Sequence, residues 1–140
     1  MKITAFLLLS TLFMETGMAA CPLEGIWEMD VLRSSANYLE KTDGIGPIDE
    51  ANISVMSAFQ WELTCDMFII RHRESEAEYF EFFSEHPYTW NDLGHSKFII
   101  LGLNSRGEEY SMEIQFLDDG CFEYEYPLPY AYSQIWCRAK

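Results

Sequence analysis

The residues best suited to chemistry in this 140-residue chain are histidines and serines in its second half. His86 and His95 flank Asp92, and Ser84 and Ser96 lie beside them. Imidazole and carboxylate groups in one cluster could bind a metal ion or exchange protons with a substrate. No nucleophile elbow, triad spacing or phosphate-binding loop accompanies them. We therefore predict no catalytic residues, no metal site and no cofactor, and interpret these side chains as solvated loop groups.

The elements that would position such residues are predominantly extended. Eight segments rich in β-branched, aromatic or alternating residues are separated by turn residues such as Gly, Pro, Asn and Asp. They predict an all-β chain with a short helical insertion, arranged as an eight-stranded antiparallel up-and-down β-barrel. Residues 85–95 contain a proline and a glycine and predict a longer loop. The predicted strands are 25–30, 59–64, 67–73, 77–83, 97–103, 108–117, 121–126 and 132–138.

The predicted strands of the second half separate into two faces. In residues 108–117, apolar side chains alternate with Glu109, Ser111, Glu113 and Gln115. This alternation is typical of an antiparallel strand with one face on a core and the other in solvent. An eight-stranded barrel either fills its interior with side chains or leaves room for one small ligand, and both interpretations stay open. The candidate ligand-binding residues on the inward face are Tyr110, Met112, Ile114, Phe116, Phe122, Tyr124, Tyr126, Gln134 and Trp136.

The orientation of the third predicted strand stays open. Its two rows are Phe68, Ile70 and His72 on one face and Met67, Ile69, Arg71 and Arg73 on the other. Both rows begin with apolar residues, so either row could face the interior. With His72 inside, the two arginines lie outside among the acids. In the opposite orientation, the arginines would form an internal anchor for a carboxylate.

Residues 31–57 break the two-residue alternation and predict helices between the first two strands. Asp30 is suited to cap the first helix, and the segment from Asp43 to Pro47 ends it. We expect this insertion to cover the top of the barrel, opposite the end at which the first strand begins. The apolar positions at helical spacing are Leu32, Ala36 and Leu39 in the first helix and Ile48, Ile53 and Met56 in the second.

Four cysteines gather at one end of the predicted barrel, because successive strands alternate in direction. Cys21 precedes strand one, and Cys65 lies between strands two and three. Cys121 opens strand seven, and Cys137 lies opposite it in a hairpin centred on Pro129. The first prediction is therefore Cys121–Cys137 with Cys21–Cys65. The alternative is Cys21–Cys137 with Cys65–Cys121, because strands one and eight are neighbours in a closed barrel.

The N-terminal residues resemble a secretory signal peptide. Lys2 is followed by an apolar run that is too short to span a membrane comfortably, and residues 17–20 are small enough for cleavage. We predict a signal peptide at 1–20, one barrel domain at 21–140, and a secreted or periplasmic location. Cys21 leaves a second interpretation open, because it could be the lipidated first residue of a membrane-anchored lipoprotein.

Acidic residues outnumber basic ones, with 23 Asp and Glu against 9 Lys and Arg, and the formal net charge is −14. Such a charge argues against nucleic acid and against an anionic membrane surface as partners, because both attract basic patches. It favours either simple solubility or a basic protein as partner.

The start and the end of the predicted barrel carry a family pattern. Gly25-Ile26-Trp27 opens the first strand shortly after Leu23, and Arg138 lies near the C-terminus. Together with the run of antiparallel strands, these residues resemble the lipocalin-like (calycin) small barrels. The resemblance implies that Arg138 lies across the ring of Trp27. Gly25, which has no side chain, would leave space beside that indole.

The resemblance also implies a function. Proteins of this family hold lipids or other small apolar molecules inside the barrel, and the fatty-acid-binding relatives carry a helical lid where this chain has its insertion. We therefore predict a secreted or periplasmic protein that binds a small, mostly apolar ligand and is not an enzyme. The alternative is an acidic, disulfide-stapled barrel that binds or inhibits a basic protein.

Overall fold

The structure is a computed structural model that describes residues 21–41, 47–73, 80–104, 106–125 and 133–140. The predicted signal peptide at residues 1–20 lies outside these ranges, and so do Tyr126, the turn around Pro129 and the start of the fourth predicted strand. Expectations that concern these residues stay predictions.

Eight antiparallel strands close into a barrel in sequence order. Each strand pairs with its neighbours along the chain, and the first strand pairs with the last. The predicted fold class and up-and-down topology are therefore confirmed. The strands are β1 (Gly25–Met29), β2 (Phe59–Leu63), β3 (Met67–Arg73), β4 (Phe80–Gly94), β5 (Lys97–Leu103), β6 (Glu109–Phe116), β7 (Cys121–Glu125) and β8 (Ser133–Arg138). The helices α1 (Val31–Lys41) and α2 (Pro47–Ser57) lie between β1 and β2.

Side-chain alternation along β6 shows why these residues form a barrel wall. Met112 and Ile114 are buried in the core, whereas Ser111 and Glu113 between them are exposed. Because successive strand residues point to opposite faces, one row faces the interior and the other faces solvent. Burial of the apolar row stabilises the sheet, and closure removes the strand edges that an open sheet would expose.

The predicted loop at residues 85–95 is wrong, because this segment is the second half of β4. Pro87 lies where β4 changes its partner: it is the last residue paired with β3, and Tyr88 is the first paired with β5. A proline has no N–H to donate, so it is tolerated where the ladder changes sides. The turn to β5 contains only His95 and Ser96, both with positive φ, which matches the twist of a two-residue hairpin.

The barrel closes through Trp27 on β1 and Arg138 on β8, which pair across the two strands. The guanidinium carbon of Arg138 lies 4.5 Å from the centroid of the Trp27 ring. Its nitrogens donate to the carbonyl oxygens of Glu24 at 2.6 Å and Pro22 at 3.3 Å. A Cβ at Gly25 would clash with a guanidinium nitrogen of Arg138, so only glycine leaves room for this side chain. The structure thus brings together the three residues of the family pattern.

Helix α1 follows β1 in the chain and packs along β8. Asp30 caps the helix, since its side chain accepts a hydrogen bond from the Arg33 N–H at 3.0 Å. The Ile135 N–H donates to the Ser34 hydroxyl at 2.9 Å, and Asn37 donates to the Ser133 carbonyl at 3.5 Å. Two backbone groups of β8 that lie beyond its pairing with β1 are therefore satisfied by side chains of α1.

The apolar positions of α1 do not pack on the barrel as expected. Leu32 is 84% exposed and Leu39 is 51% exposed, whereas Ser34 and Tyr38 are buried. The helix turns its polar side towards β8 because that side supplies the hydrogen bonds. Ile135, on the outer face of β8, is only 3% exposed. Helix α1 therefore covers the flank of β8 rather than the top of the barrel.

Helix α2 is the part of the insertion that reaches the barrel interior. Ile53 is buried in the hydrophobic core, and Met56 packs against that core. The helix also contacts β1 and β2. The predicted helical insertion is confirmed, and its second helix contributes to the cover of the core between these two strands.

The contact between Arg138 and Trp27 should be measurable as a coupling energy. Trp27→Ala should lower the free energy of unfolding by about 3–5 kcal/mol, because it empties a fully buried site. Arg138→Ala should cost less, and a double-mutant cycle from denaturant unfolding should give a coupling of about 1–2 kcal/mol. Arg106→Ala removes an exposed turn arginine and serves as control, with an expected change below about 0.5 kcal/mol. Strictly additive losses at Trp27 and Arg138 would contradict the contact.

Candidate functional site

The inward row that the sequence predicts is present, and part of it is a packed core. Phe122, Gln134 and Trp136 are fully buried. The Trp136 ring stacks on Trp61 with 3.8 Å between centroids, and its indole N–H donates to the Gln134 side-chain oxygen at 3.1 Å. Around these residues, side chains fill the barrel rather than line an open space. The described members of the row are Tyr110, Met112, Ile114, Phe116, Phe122, Tyr124, Gln134 and Trp136.

Two polar side chains inside the barrel each have one buried atom that lacks a hydrogen-bond partner among the described residues. His86 on β4 is 8% exposed, and its ring lies edge-on to Phe68 and Tyr110, with 5.1 and 5.5 Å between centroids. His86 Nδ1 and the Tyr110 hydroxyl are both buried and have no hydrogen-bond partner among the residues that the structure describes. We call His86 and Tyr110 the interior polar pair.

A glycine makes room for the tyrosine of this pair. Gly102 on β5 lies opposite Tyr110 on β6. A Cβ at Gly102 would lie 2.8 Å from the Tyr110 hydroxyl oxygen and 2.9 Å from the Pro87 carbonyl oxygen on β4. Without a side chain at position 102, the tyrosine ring can lie across β5 towards the strand that carries His86.

Burial keeps both members of the interior polar pair uncharged at neutral pH. It lowers the pKa of His86 below its ordinary value of 6.5 and raises the pKa of Tyr110 to about 12. An unpaired buried polar group costs about 1–3 kcal/mol, and most buried polar groups in native proteins are paired. A ligand with a polar group of its own would relieve this cost.

Strand β3 turns its histidine row inward. Phe68 belongs to the core, Ile70 packs against it, and the His72 ring lies 5.6 Å from that of Phe59. Arg71 points to the outer face, where its Nε donates to a Glu62 carboxylate oxygen at 2.8 Å. Arg71 therefore provides no internal anchor for a carboxylate.

The interpretation of His86 as a solvated loop residue is wrong. On β4 the buried residues His86 and Tyr88 alternate with exposed Pro87 and Thr89. This two-residue alternation is visible in the sequence and could have identified His86, but Pro87 suggested a break in the strand. The residue also belongs to no metal cluster, since no suitable group of three His, Cys, Asp or Glu occurs in the described part of the chain.

The other residues proposed for a histidine cluster lie away from His86 along the strand. Asp92 and His95 are exposed at the end of β4 and in the turn to β5. The Asp92 carboxylate accepts a hydrogen bond from the Gly94 N–H at 2.7 Å and so stabilises that turn. The structure therefore does not bring the three residues together.

The cysteines form one disulfide and one contact. Cys121–Cys137 is bonded, which confirms the first prediction for this pair and excludes the alternative pairing. The predicted Cys21–Cys65 bond is not formed; Cys21 is a buried free thiol and Cys65 an exposed one. A hydrogen bond between the two side chains raises the pKa of Cys65. The two thiols meet as predicted, but no disulfide joins them.

No known protein family and no curated protein matches this chain. The closed, eight-stranded antiparallel barrel is compatible with a lipocalin-like barrel. Within the described residues, no helix combines the length and the apolar character needed to cross a membrane.

Replacement of Tyr110 and Tyr88 by phenylalanine should have opposite effects on the ligand-free protein. Tyr110→Phe removes a buried hydroxyl without a partner, so the free energy of unfolding should rise, by up to about 1 kcal/mol. Tyr88→Phe removes a hydroxyl that donates to the Thr64 carbonyl, so the same quantity should fall by about 1 kcal/mol. Denaturant unfolding measures both changes. Equal losses in the two variants would show that the Tyr110 hydroxyl has a partner.

Cys21 and Cys65 should form a disulfide when a disulfide oxidant such as oxidised glutathione is supplied. Both thiols lose their protons, the oxidant is reduced to two thiols, and the new bond should stabilise the protein by about 2–4 kcal/mol. Non-reducing peptide mapping should find Cys21 linked to Cys65, and Cys65→Ser should abolish that peptide and leave Cys121–Cys137 intact. If each thiol instead carries a separate glutathione after oxidation, the two are too far apart to pair.

Proposed function

We propose that this protein binds a small, mostly apolar ligand inside its barrel and is not an enzyme. The observation that carries the proposal is the interior polar pair: His86 and Tyr110 present unpartnered atoms within an interior that is mostly apolar and aromatic. Small-molecule sites commonly combine apolar walls with a few polar groups that orient the ligand.

Space next to this pair supports the proposal. A groove of about 680 Å³ is lined by the ends of β5 and β6 and reaches both Gly102 and Tyr110. The groove lies on the outer side of the barrel wall, because its other lining residues Leu101, Leu103, Glu109 and Ser111 are exposed. Tyr110 lines this groove and also contacts His86 within the barrel, so it lies between the outer groove and the interior.

The fold supports a lipocalin-like assignment for the protein. The barrel topology and the Gly25, Trp27 and Arg138 contact both fit the pattern of that family. A disulfide between Cys121 and Cys137 supports a secreted or periplasmic location, because disulfides persist in oxidising compartments. Lipidation of Cys21 would add a membrane anchor and is the lesser alternative.

A second candidate function is the binding of a basic protein. Three carboxylates on the outer face, Glu113, Glu123 and Glu125, line a groove of about 270 Å³ together with Lys97. With the net charge of −14, this face favours a positively charged partner. Such binding would be strongly weakened by salt, whereas uptake of an apolar ligand would not be.

Ligand binding should be detected by native mass spectrometry of the purified protein and by titration with an apolar fluorescent dye. We expect a one-to-one complex and dye binding that is insensitive to salt. Gly102→Ala should weaken dye binding about tenfold, because the added Cβ must displace Tyr110. Leu93→Ala, at a half-exposed position of β4 outside this groove, is the control and should bind the dye like the wild type. An empty protein that binds no dye, and instead retains a basic protein only at low salt, would favour the second candidate.

A further inference from the structure

The interior polar pair also restricts the chemistry of the ligand, and this step rests on the proposed function. His86 Nδ1 either donates or accepts a hydrogen bond, depending on its tautomer, and the Tyr110 hydroxyl can do both. The two rings are nearly perpendicular, at 87°, with 5.5 Å between centroids. The rings are therefore in direct contact, and a polar group that lies beside this contact, within reach of His86 Nδ1 and the Tyr110 hydroxyl, would bond to both residues.

The positions of the cations determine whether a charged group could be balanced at this site. Each of three described arginines is engaged outside the interior: Arg33 with Asp119, Arg71 with Glu62, and Arg138 with the carbonyl oxygen of Glu24. The other cations whose side chains the structure describes are exposed; they are Lys97, Arg106 and Lys140. Within this part of the chain, no positive charge faces the interior polar pair.

An anionic head group would therefore be buried without a counter-charge. Removing a carboxylate from water is costly unless it is paired and hydrogen-bonded, whereas an uncharged hydroxyl needs only hydrogen bonds. Among the described residues, the rings that pack against His86 are those of Phe68 on β3 and Tyr110 on β6. Neither group supplies a positive charge.

We infer that the barrel selects an apolar molecule with an uncharged hydroxyl or carbonyl head group, held by His86 and Tyr110, and disfavours the corresponding carboxylate. A hydroxyl suits either tautomer of His86, because it can donate to one member of the pair and accept from the other. A carbonyl accepts from the Tyr110 hydroxyl and from a protonated Nδ1. Burial lowers the pKa of His86, so this residue supplies no compensating charge at neutral pH.

The test compares octanol with octanoate, which have the same chain length and differ in the head group. At about pH 8 the carboxylate is fully ionised. Competition against a bound apolar dye should show octanol binding at least about tenfold more tightly than octanoate, because only the carboxylate would lose its solvation without gaining a counter-ion.

Variants test whether His86 and Tyr110 form hydrogen bonds to the head group. His86→Leu and Tyr110→Phe should each weaken octanol binding about five- to tenfold more than they weaken dye binding in the same variant, since each removes one hydrogen bond to the head group. Tyr88→Phe is the matched control, because its hydroxyl already donates to Thr64, and it should bind octanol like the wild type.

The outcomes separate this inference from the proposed function. If the wild type binds the dye, and octanoate binds as tightly as octanol or more tightly, the head-group inference is overturned and ligand binding stands. Unchanged octanol affinity in both His86→Leu and Tyr110→Phe would do the same. Failure of the wild type to bind the dye, octanol and octanoate would overturn the proposed function and the inference together.

Discussion

The closure between β1 and β8 is the constraint on which the rest of this structure depends. The two strands are short, and Arg138 adds to their pairing by covering the ring of Trp27 and binding the carbonyl oxygens of Glu24 and Pro22. The same indole lies 4.8 Å from the ring of Phe122, so the closure joins directly to the aromatic core. An open barrel would expose both strand edges and this core, which is why a single cation–aromatic contact has consequences for the whole fold.

The filled part of the barrel and the interior polar pair have opposite effects on stability. Stacked rings such as Trp61 and Trp136 bury large apolar areas, which stabilise the folded state. Unpartnered atoms of His86 and Tyr110 destabilise it when no ligand is bound. A fold tolerates such a local cost when the surrounding core is well packed, and functional sites are where such costs are usually found. The proposed ligand site would thus depend on the packed core beside it.

Several features of the fold follow from the sequence because they depend on neighbouring residues. Two-residue alternation in β6 and β7 predicts their inward rows, and the spacing about the β7–β8 hairpin predicts the Cys121–Cys137 bond. Asp30 is a suitable helix cap wherever the helix packs, and it does cap α1. The position of Arg138 at the ring of Trp27 follows from the same strand count combined with the family resemblance.

Other features were decided only by tertiary structure, because they depend on residues that are distant along the chain. Helical spacing suggested that Leu32 and Leu39 pack inward, but the backbone of β8 needs hydrogen bonds from Ser34 and Asn37, so the opposite face turns to the barrel. Pro87 suggested a loop, but β4 exchanges one partner strand for another at that residue. The sequence by itself determined the strands other than the second half of β4, and the faces of β6 and β7, through local periodicity. Only the assembled barrel decided that His86 is buried opposite Tyr110, because that contact joins strands that are not adjacent in the sheet.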